Sequence, residues 1–493
     1  MKVSRSTALA KTLRGACRAR CGTPATTIAV SRRSIATTSG GFVTQQQQQP
    51  NHPPQRQLLA SRPATTQTRH YASAPASKEE NLDITPLHPL HLAHNAKLVP
   101  FGGFSMPVQY PSHTVSQSHV FTRAHASLFD VSHMVQRRFT GPGATAFLER
   151  VTPSGIGALE PHRSTLSVLL KADGSGGIVD DTVITRLGGG EEKPYYYVVT
   201  NAGCREKDDA YLSEEVQKWN QEFAGQGLEV VEERWHNTGL LALQGPEAET
   251  ALSSILAADD QGSVPDLHKL FFGQSVFANL KLPNGSVTTK PVLISRGGYT
   301  GEDGFEISIP ATDTVAVAEA LLAAGGADNK QVQLAGLGAR DSLRLEAGMC
   351  LYGHDLDETT TPVEAGLSWI IPKDRRSADA GYYGAELIAK QLVPKTKGGA
   401  GIDRRRVGLV VEGAPAREGA DIATKVEGGG TRKIGVVTSG CPSPSVGKNI
   451  AMGYVEDGFH KAGTAVQVVV RGRPRIATVT KMPFIETKYY KGA

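Results

Sequence analysis

Three things are scarce in this chain, and each scarcity excludes something. Residues 1–78 contain neither aspartate nor glutamate, and Glu79 is the first acid. No run approaches the ~18 uninterrupted apolar residues of a membrane-spanning helix, so a soluble protein without membrane insertion is expected. Only five cysteines occur among 493 residues. Cys17 and Cys21 lie in the acid-free leader; Cys204, Cys350 and Cys441 are widely spaced. With no Cys-x-x-Cys pair, they provide neither a disulfide framework nor a zinc site, in keeping with a reducing compartment. No solenoid-like repeat is present.

The acid-free leader accounts for the positive charge. Lysine and arginine outnumber the acids by 53 to 48, a formal net charge of +5. Eleven of those basic residues fall before Tyr71, from Lys2 to Arg69. The rest of the chain carries 42 against 48, a net of −6. A leader rich in Arg, Ser, Thr and Ala and free of acids has the composition of an organellar transit peptide. The alternative is a disordered basic tail. Arg69-His70-Tyr71-Ala72-Ser73 has the form of a mitochondrial processing site, with cleavage expected after Tyr71. A nucleic-acid-binding reading loses its support once the leader is subtracted.

At ~100–200 residues per domain, the length suggests two to four domains. The transit peptide is expected over 1–71 and an α+β body over 80–394, built as two intertwined domains. A β-rich domain is expected over 402–493. Leu240-Leu241-Ala242-Leu243 reads as a strand and Gly245-Pro246 as the opening of a helix, with Leu252, Ile255 and Leu256 at helical spacing. A second helix is expected from Thr312 to Ala324, with Thr312 as cap and Gly325 as stop, and a third over 336–347. Residues 395–401 read as a linker. Beyond them the runs Val407–Val411, Ile434–Thr438, Ile450–Val455, Ala465–Val470 and Ile476–Lys481 suggest a small barrel or sandwich.

Some motif matches fail. Gly440-Cys441-Pro442-Ser443-Pro444-Ser445-Val446-Gly447-Lys448-Asn449 has six residues between its glycines where a phosphate loop has four, and two prolines remove amides. Gly336-Leu337-Gly338 lacks the third glycine of a dinucleotide fingerprint. His88, His91 and His94 would share a helical face, but Pro86 and Pro89 argue against that helix, and no metal is expected.

The informative residues are carboxylates. In a strand from Ile178 to Leu187, Asp181 lies between Val179 and Val183 on one face, while Asp180 has more polar company. A charge there is costly unless paired or used, and burial would raise its pKa. The alternative is a turn aspartate held by N–H groups, because Gly176-Gly177 precedes it. In Gly297-Gly298-Tyr299-Thr300-Gly301-Glu302-Asp303-Gly304-Phe305-Glu306, Phe305, Ile307 and Ile309 share a face and Glu306 and Ser308 the other. The glycines would let a ligand approach the backbone, and Glu302 and Asp303 read as solvated turn residues. Arg340 and Arg344, four apart on a helix, share a face that could hold an anion. Pairing with Asp341 and Glu346 on a solvated face is the alternative.

These segments resemble the aminomethyltransferases, the T-proteins, of the mitochondrial glycine cleavage system. The likeness runs from about Pro86 to Tyr490. It includes Ser127-Leu128-Phe129-Asp130-Val131-Ser132-His133-Met134, Gly177-Ile178-Val179-Asp180-Asp181, Val199-Thr200-Asn201-Ala202-Gly203-Cys204, Gly298-Tyr299-Thr300-Gly301-Glu302-Asp303-Gly304 and Ala339-Arg340-Asp341-Ser342-Leu343-Arg344. The resemblance implies a three-domain cloverleaf around a central folate site, with a β-barrel-like C-terminal domain. It further implies tetrahydrofolate as co-substrate, lipoylated H-protein as partner, no metal or flavin, a monomer and a mitochondrial matrix location. Residue by residue, the key acid falls on Asp181, the pterin-binding carboxylate on Glu306, and further binding positions on Arg340 and Tyr489. Asn201 and Tyr299 are implied as groups lining the cleft.

Two relatives of that family compete. A folate-binding iron–sulfur assembly factor would carry a Lys-Gly-Cys-Tyr-x-Gly-Gln-Glu signature, which has no counterpart here. The folate domain of flavin-linked sarcosine and dimethylglycine dehydrogenases needs a large dinucleotide-binding half, and the residues before Pro86 cannot supply it.

Overall fold

The computed structural model describes residues 82–188, 193–324 and 332–492. The expected transit peptide with its cleavage point after Tyr71 lies outside the described residues. So do most of the glycine-rich insert at 188–192 and Gly325, the expected helix stop.

The fold is α+β, as expected, and contains two sheets and a barrel besides a short hairpin. The larger sheet runs in the order Leu256–Ala257, Ser275–Leu280, Val292–Arg296, Gly304–Pro310, Thr238–Gln244, Ser127–Asp130 and Gln333–Leu334; its last pair alone is parallel. The smaller sheet is antiparallel: Arg163–Leu170, Ile178–Leu187, Tyr195–Thr200, Val135–Thr140 and Val231–Arg234.

Alternation fixes which faces are free. Phe305, Ile307 and Ile309 pack with Leu241, Leu243, Val317 and Leu321 in one core. Burying each such side chain contributes roughly 1.5–3 kcal/mol, so a one-residue slip that brought Glu306 inside is strongly disfavoured. The opposite faces of both sheets meet in a second cluster, where Phe129, Ala242 and Leu293 from the larger sheet touch Tyr197 and Val199 from the smaller. Ala339 and Leu343 of the helix Leu337–Glu346 close it. A Cβ on Gly336 would lie 2.5 Å from the Val108 carbonyl. That glycine therefore lets the helix start against the strand Phe104–Gln109 and has no phosphate to cradle.

Residues Arg404 to Thr480 form a closed six-stranded barrel. Five strands were expected; the sixth, Asp421–Lys425, offers only Ile422 and Ala423 as apolar signal between charged ends. The phosphate-loop lookalike is the end of the strand Thr431–Ser443, a turn, and the start of Lys448–Glu456, with Cys441 opposite Ile450. After the barrel the chain returns to the helix Leu337–Glu346 and to two loops of the larger sheet: the Phe484 amide donates to the Glu346 carbonyl, the Lys488 amide to Gly301 and the Phe272 amide to Tyr490.

Two helix starts and one helix differ from expectation. The helix after Thr238–Gln244 begins at Ala248 with Glu247 as cap, so Pro246 precedes it. The helix expected from Thr312 is Ala311–Ala323 with Pro310 at its cap; Thr312 donates to Asp313, and its hydroxyl caps nothing. The doubted helix exists as His88–Ala93, because Pro89 sits in the first turn where no amide partner is lost. His91 in it is fully buried, with Nε2 2.8 Å from Asp130 and Nδ1 2.9 Å from the Tyr110 hydroxyl, so both ring nitrogens are already engaged.

Candidate functional site

The strand Ile178–Leu187 places its two adjacent acids on opposite faces, and the structure reverses their expected company. Asp180 is the fully buried one; Asp181 and Val183 lie on the more open face. Asn201, just beyond the neighbouring strand, ties the two together. Its backbone N–H donates to Asp180 Oδ2 at 2.8 Å. Its side-chain Nδ2 donates to Asp180 Oδ1 at 2.9 Å and to Asp181 Oδ1 at 3.0 Å. Burial, then the charge of Asp180, raises the pKa of Asp181, while the Asn201 hydrogen bond pulls the other way. Asp181 is thus a carboxyl group whose proton affinity is shifted toward neutral pH, with Asn201 bonded to its Oδ1.

Glu306 stands on the strand Gly304–Pro310, facing away from the core, opposite Ala242 and Ser295 in register. With Ser308 it lines a cavity whose other wall includes Val183, Thr185, Tyr197 and Val199. Val183 and Thr185 share the strand face of Asp181, so the faces bearing Asp181 and Glu306 border one space. Burial raises the pKa of Glu306, and the nearby Arg340 opposes that rise.

Arg340 lies 4.9 Å from the ring centre of Tyr299, a cation–π pair, and its buried Nη1 has no hydrogen-bond partner. The Tyr299 hydroxyl donates to the Cys350 carbonyl. Burial raises the pKa of Tyr299; the charges of Arg344 and Arg340 oppose that rise, and those of Asp181 and Asp355 add to it. His133, which sequence reasoning did not single out, is buried beside Arg340, and burial pushes its pKa down to about 4.

Arg344 departs from the expected anion clamp. It is buried and fully engaged, donating to Asp341, Asp355, Ser439 and the Met349 carbonyl. Glu346, the other expected partner, pairs instead with Arg123 and His119. The loop acids are not solvated either. Glu302 is buried and paired with Arg123 and Lys488, and Asp303 receives two bonds from the buried Arg296. Nor does Gly298 open the backbone to a ligand: it sits at φ 155°, and a Cβ there would lie 2.0 Å from the Gln244 amide oxygen. Protein fills that space.

Of the six residues singled out beforehand, Asp181 touches Asn201, and Tyr299 touches Arg340, whose charge acts on Glu306. Tyr489 packs against Phe272 with the rings tilted and their centres 4.3 Å apart, and no hydrogen bond joins it to the other five among the described residues. It reaches the site through the loop, because Lys488 is bonded to Gly301.

Asp208 was also missed. It is fully buried on the helix Arg205–Glu222, and its carboxylate, that of Asp180 and the Cys204 sulfur lie within 4.8 Å of one another. Burial pushes the Cys204 thiol well up, favouring the protonated thiol over a metal-binding thiolate.

Chemically, the arrangement offers one carboxylate that can face a developing cation, a second that can accept paired N–H donors, and a guanidinium with a free N–H for an oxygen.

Two family models match the chain: the GCVT N-terminal domain over residues 87–375 and the glycine cleavage T-protein C-terminal barrel domain over 404–486. A probable mitochondrial aminomethyltransferase of Schizosaccharomyces pombe is 47% identical over 411 residues, covering 83% of this chain and 95% of the relative. The mitochondrial aminomethyltransferase of Homo sapiens is 46% identical over 413 residues, 84% of this chain and 92% of the relative. The crystal structure of a glycine cleavage system aminomethyltransferase T from Bartonella henselae superposes with a TM-score of 0.69 at 37% identity. It covers 83% of this chain and all of that one.

Proposed function

The chain belongs to the glycine cleavage T-protein family, and from that premise we propose how its residues carry out tetrahydrofolate-dependent aminomethyl transfer. The protein is an aminomethyltransferase of the glycine cleavage system. An aminomethyl group arrives on the lipoyl arm of H-protein, ammonia leaves and dihydrolipoyl H-protein remains. When bound, tetrahydrofolate supplies the two nitrogens between which the one-carbon unit ends as a methylene bridge. The protein acts in mitochondria, as a monomer in the matrix on this reading.

The observation that carries the assignment of roles is the shared space between two carboxylate-bearing strand faces, one with Asp181 and the other with Glu306. Glu306 on the wall of that space and Arg340 near Glu306 offer the groups that a pterin edge would need. Glu306 can accept the adjacent N–H and NH2 of its edge, and Arg340 has an unpartnered buried N–H for a carbonyl or an anionic group. Asn201 holds Oδ1 of Asp181 and makes no bond to Oδ2. Ionised Asp181 can then face positive charge as it develops at the one-carbon unit, with little solvent to screen it. Its raised proton affinity also suits it to hold a proton transiently near neutral pH. Tyr299 and Tyr489 border the site from the glycine loop and the C-terminal tail.

The test is ammonia release by the purified chain from aminomethylated lipoyl H-protein, with and without tetrahydrofolate. Fast release that depends on folate and yields methylenetetrahydrofolate is expected. Folate binding without release would shift the reading to a folate-binding assembly factor.

A further inference from the structure

Asp208 is a buried acid that the proposed chemistry does not use. It lies on the inward stripe of its helix with Leu212, Glu215 and Trp219, at a spacing that buries every member. Neither of its carboxyl oxygens has a hydrogen-bond donor. The groups facing it come from several elements, and the cations among them are committed elsewhere. Lys207 Nζ is bonded to the Tyr352 hydroxyl at 2.6 Å and lies 3.3 Å from Glu358. Arg137 binds Asp209 and Glu232. The hydroxyls of Tyr211 and Tyr352 donate to the carbonyls of Leu170 and Ile178. Cys204 and Asp180 remain, within 4.8 Å.

Two carboxylates buried this close, one of them without a donor, cannot both stay charged without a partner. We propose that Asp208 is held as the neutral acid and donates its proton to Asp180, which makes it a positioning residue for Asp181 acting through Asp180 and Asn201. The proposal rests on the reading of Asp181 as the catalytic carboxylate. Asp180 already accepts from Asn201 at both oxygens, so a third donor from behind leaves it no freedom to turn. A fixed Asp180 holds the Asn201 amide in the one orientation that also donates to Asp181 Oδ1. Burial and the neighbouring charge of Asp180 both favour the neutral form of Asp208.

The test compares the full-length chain with Asp208→Asn and Asp208→Ala, by infrared difference spectroscopy and by the pH profile of turnover. The wild type at neutral pH should show the C=O stretch of a protonated carboxylic acid that Asp208→Asn removes. The asparagine variant, whose N–H can replace the proton, should keep the wild-type rate and profile. The alanine variant should lose about 10–100-fold in turnover, and the acidic limb of its profile should move to higher pH, because Asp181 loses its ordered donor. Absence of the acid band, a wild-type profile in Asp208→Ala, or equal damage in both variants would overturn the proposal. So would a Co2+ titration giving a thiolate charge-transfer band that Cys204→Ser abolishes, since the trio would then hold a cation. The infrared band is independent of Asp181: an active Asp181→Asn variant would sink the catalytic reading and leave the shared proton standing.

Discussion

One amide nitrogen, Nδ2 of Asn201, donates to the carboxylates of both Asp180 and Asp181, at 2.9 and 3.0 Å. The pair of acids is therefore held as a unit from the adjoining strand's end. Removing that nitrogen takes a donor from a fully buried acceptor, which costs about 1–3 kcal/mol. Asn201→Ala should accordingly lower the melting temperature and the turnover together. Its pH profile should shift to higher pH, because the lost hydrogen bond favoured ionised Asp181. A profile superimposable on the wild type would show that the bond does not reach the chemistry.

Asp181→Asn should reduce turnover by about 10²–10⁴-fold, the range for losing an acid–base or charge-stabilising group. Folate affinity, measured by fluorescence titration, should change little. Turnover near the wild-type value would remove Asp181 from the reaction.

The same substitution has a stability consequence of known sign. The pKa of Asp181 is raised in the folded chain, so between the ordinary carboxylate value of ~4 and the raised value the folded state binds more protons than the unfolded one. Stability from this group is complete below that window and is lost as pH rises through it. Asp181→Asn, which cannot ionise, should melt at or above the wild-type temperature near pH 8, with the difference vanishing near pH 4. Thermal scans at both pH values would show it, and a lower melting temperature at pH 8 would contradict the sign.

Glu306→Gln retains the shape but not the charge. Hydrogen bonds to a charged acceptor contribute about 1.5–3 kcal/mol, so folate should bind roughly 10–100-fold more weakly by isothermal titration. Turnover at saturating folate should stay close to wild type. Unchanged affinity would dismiss the pterin role.

Arg340 and Arg344 separate binding from stability. Arg344→Met strands the buried Asp355 and should destabilise the chain by about 3–5 kcal/mol in denaturant unfolding. Arg340→Met breaks no ion pair among the described residues and should leave the unfolding midpoint nearly unchanged while weakening folate binding. The opposite pattern would reverse the two roles.

Strand period singled out both Asp181 and Glu306, but only Glu306 faces as alternation predicts: Phe305, Ile307 and Ile309 stay in the core, whereas Asp180, and not Asp181, is the fully buried acid of its strand. Helix spacing was less decisive. Arg340 and Arg344 are a turn apart, yet only the folded chain brings Asp355 and Ser439 from distant segments to claim one of them. Glu302 and Asp303 looked solvated because their partners, Arg123 and Arg296, lie on other elements. Asp208 did have a signal, since it shares a helical stripe with Leu212 and Trp219, where an acid is out of place. The strand Asp421–Lys425 had almost none.

The tail beyond the barrel has a consequence for the order of assembly. The glycine loop gains its bond from Lys488, and the Phe272 amide finds the Tyr490 carbonyl, only after the last barrel strand has been made, because both partners follow Thr480 in the chain. A ribosome adding about 5–20 residues per second finishes both sheets and the barrel before it supplies that closing strap. The bonds that tie the tail to the glycine loop and to Phe272 are therefore the last of these contacts that a growing chain can form.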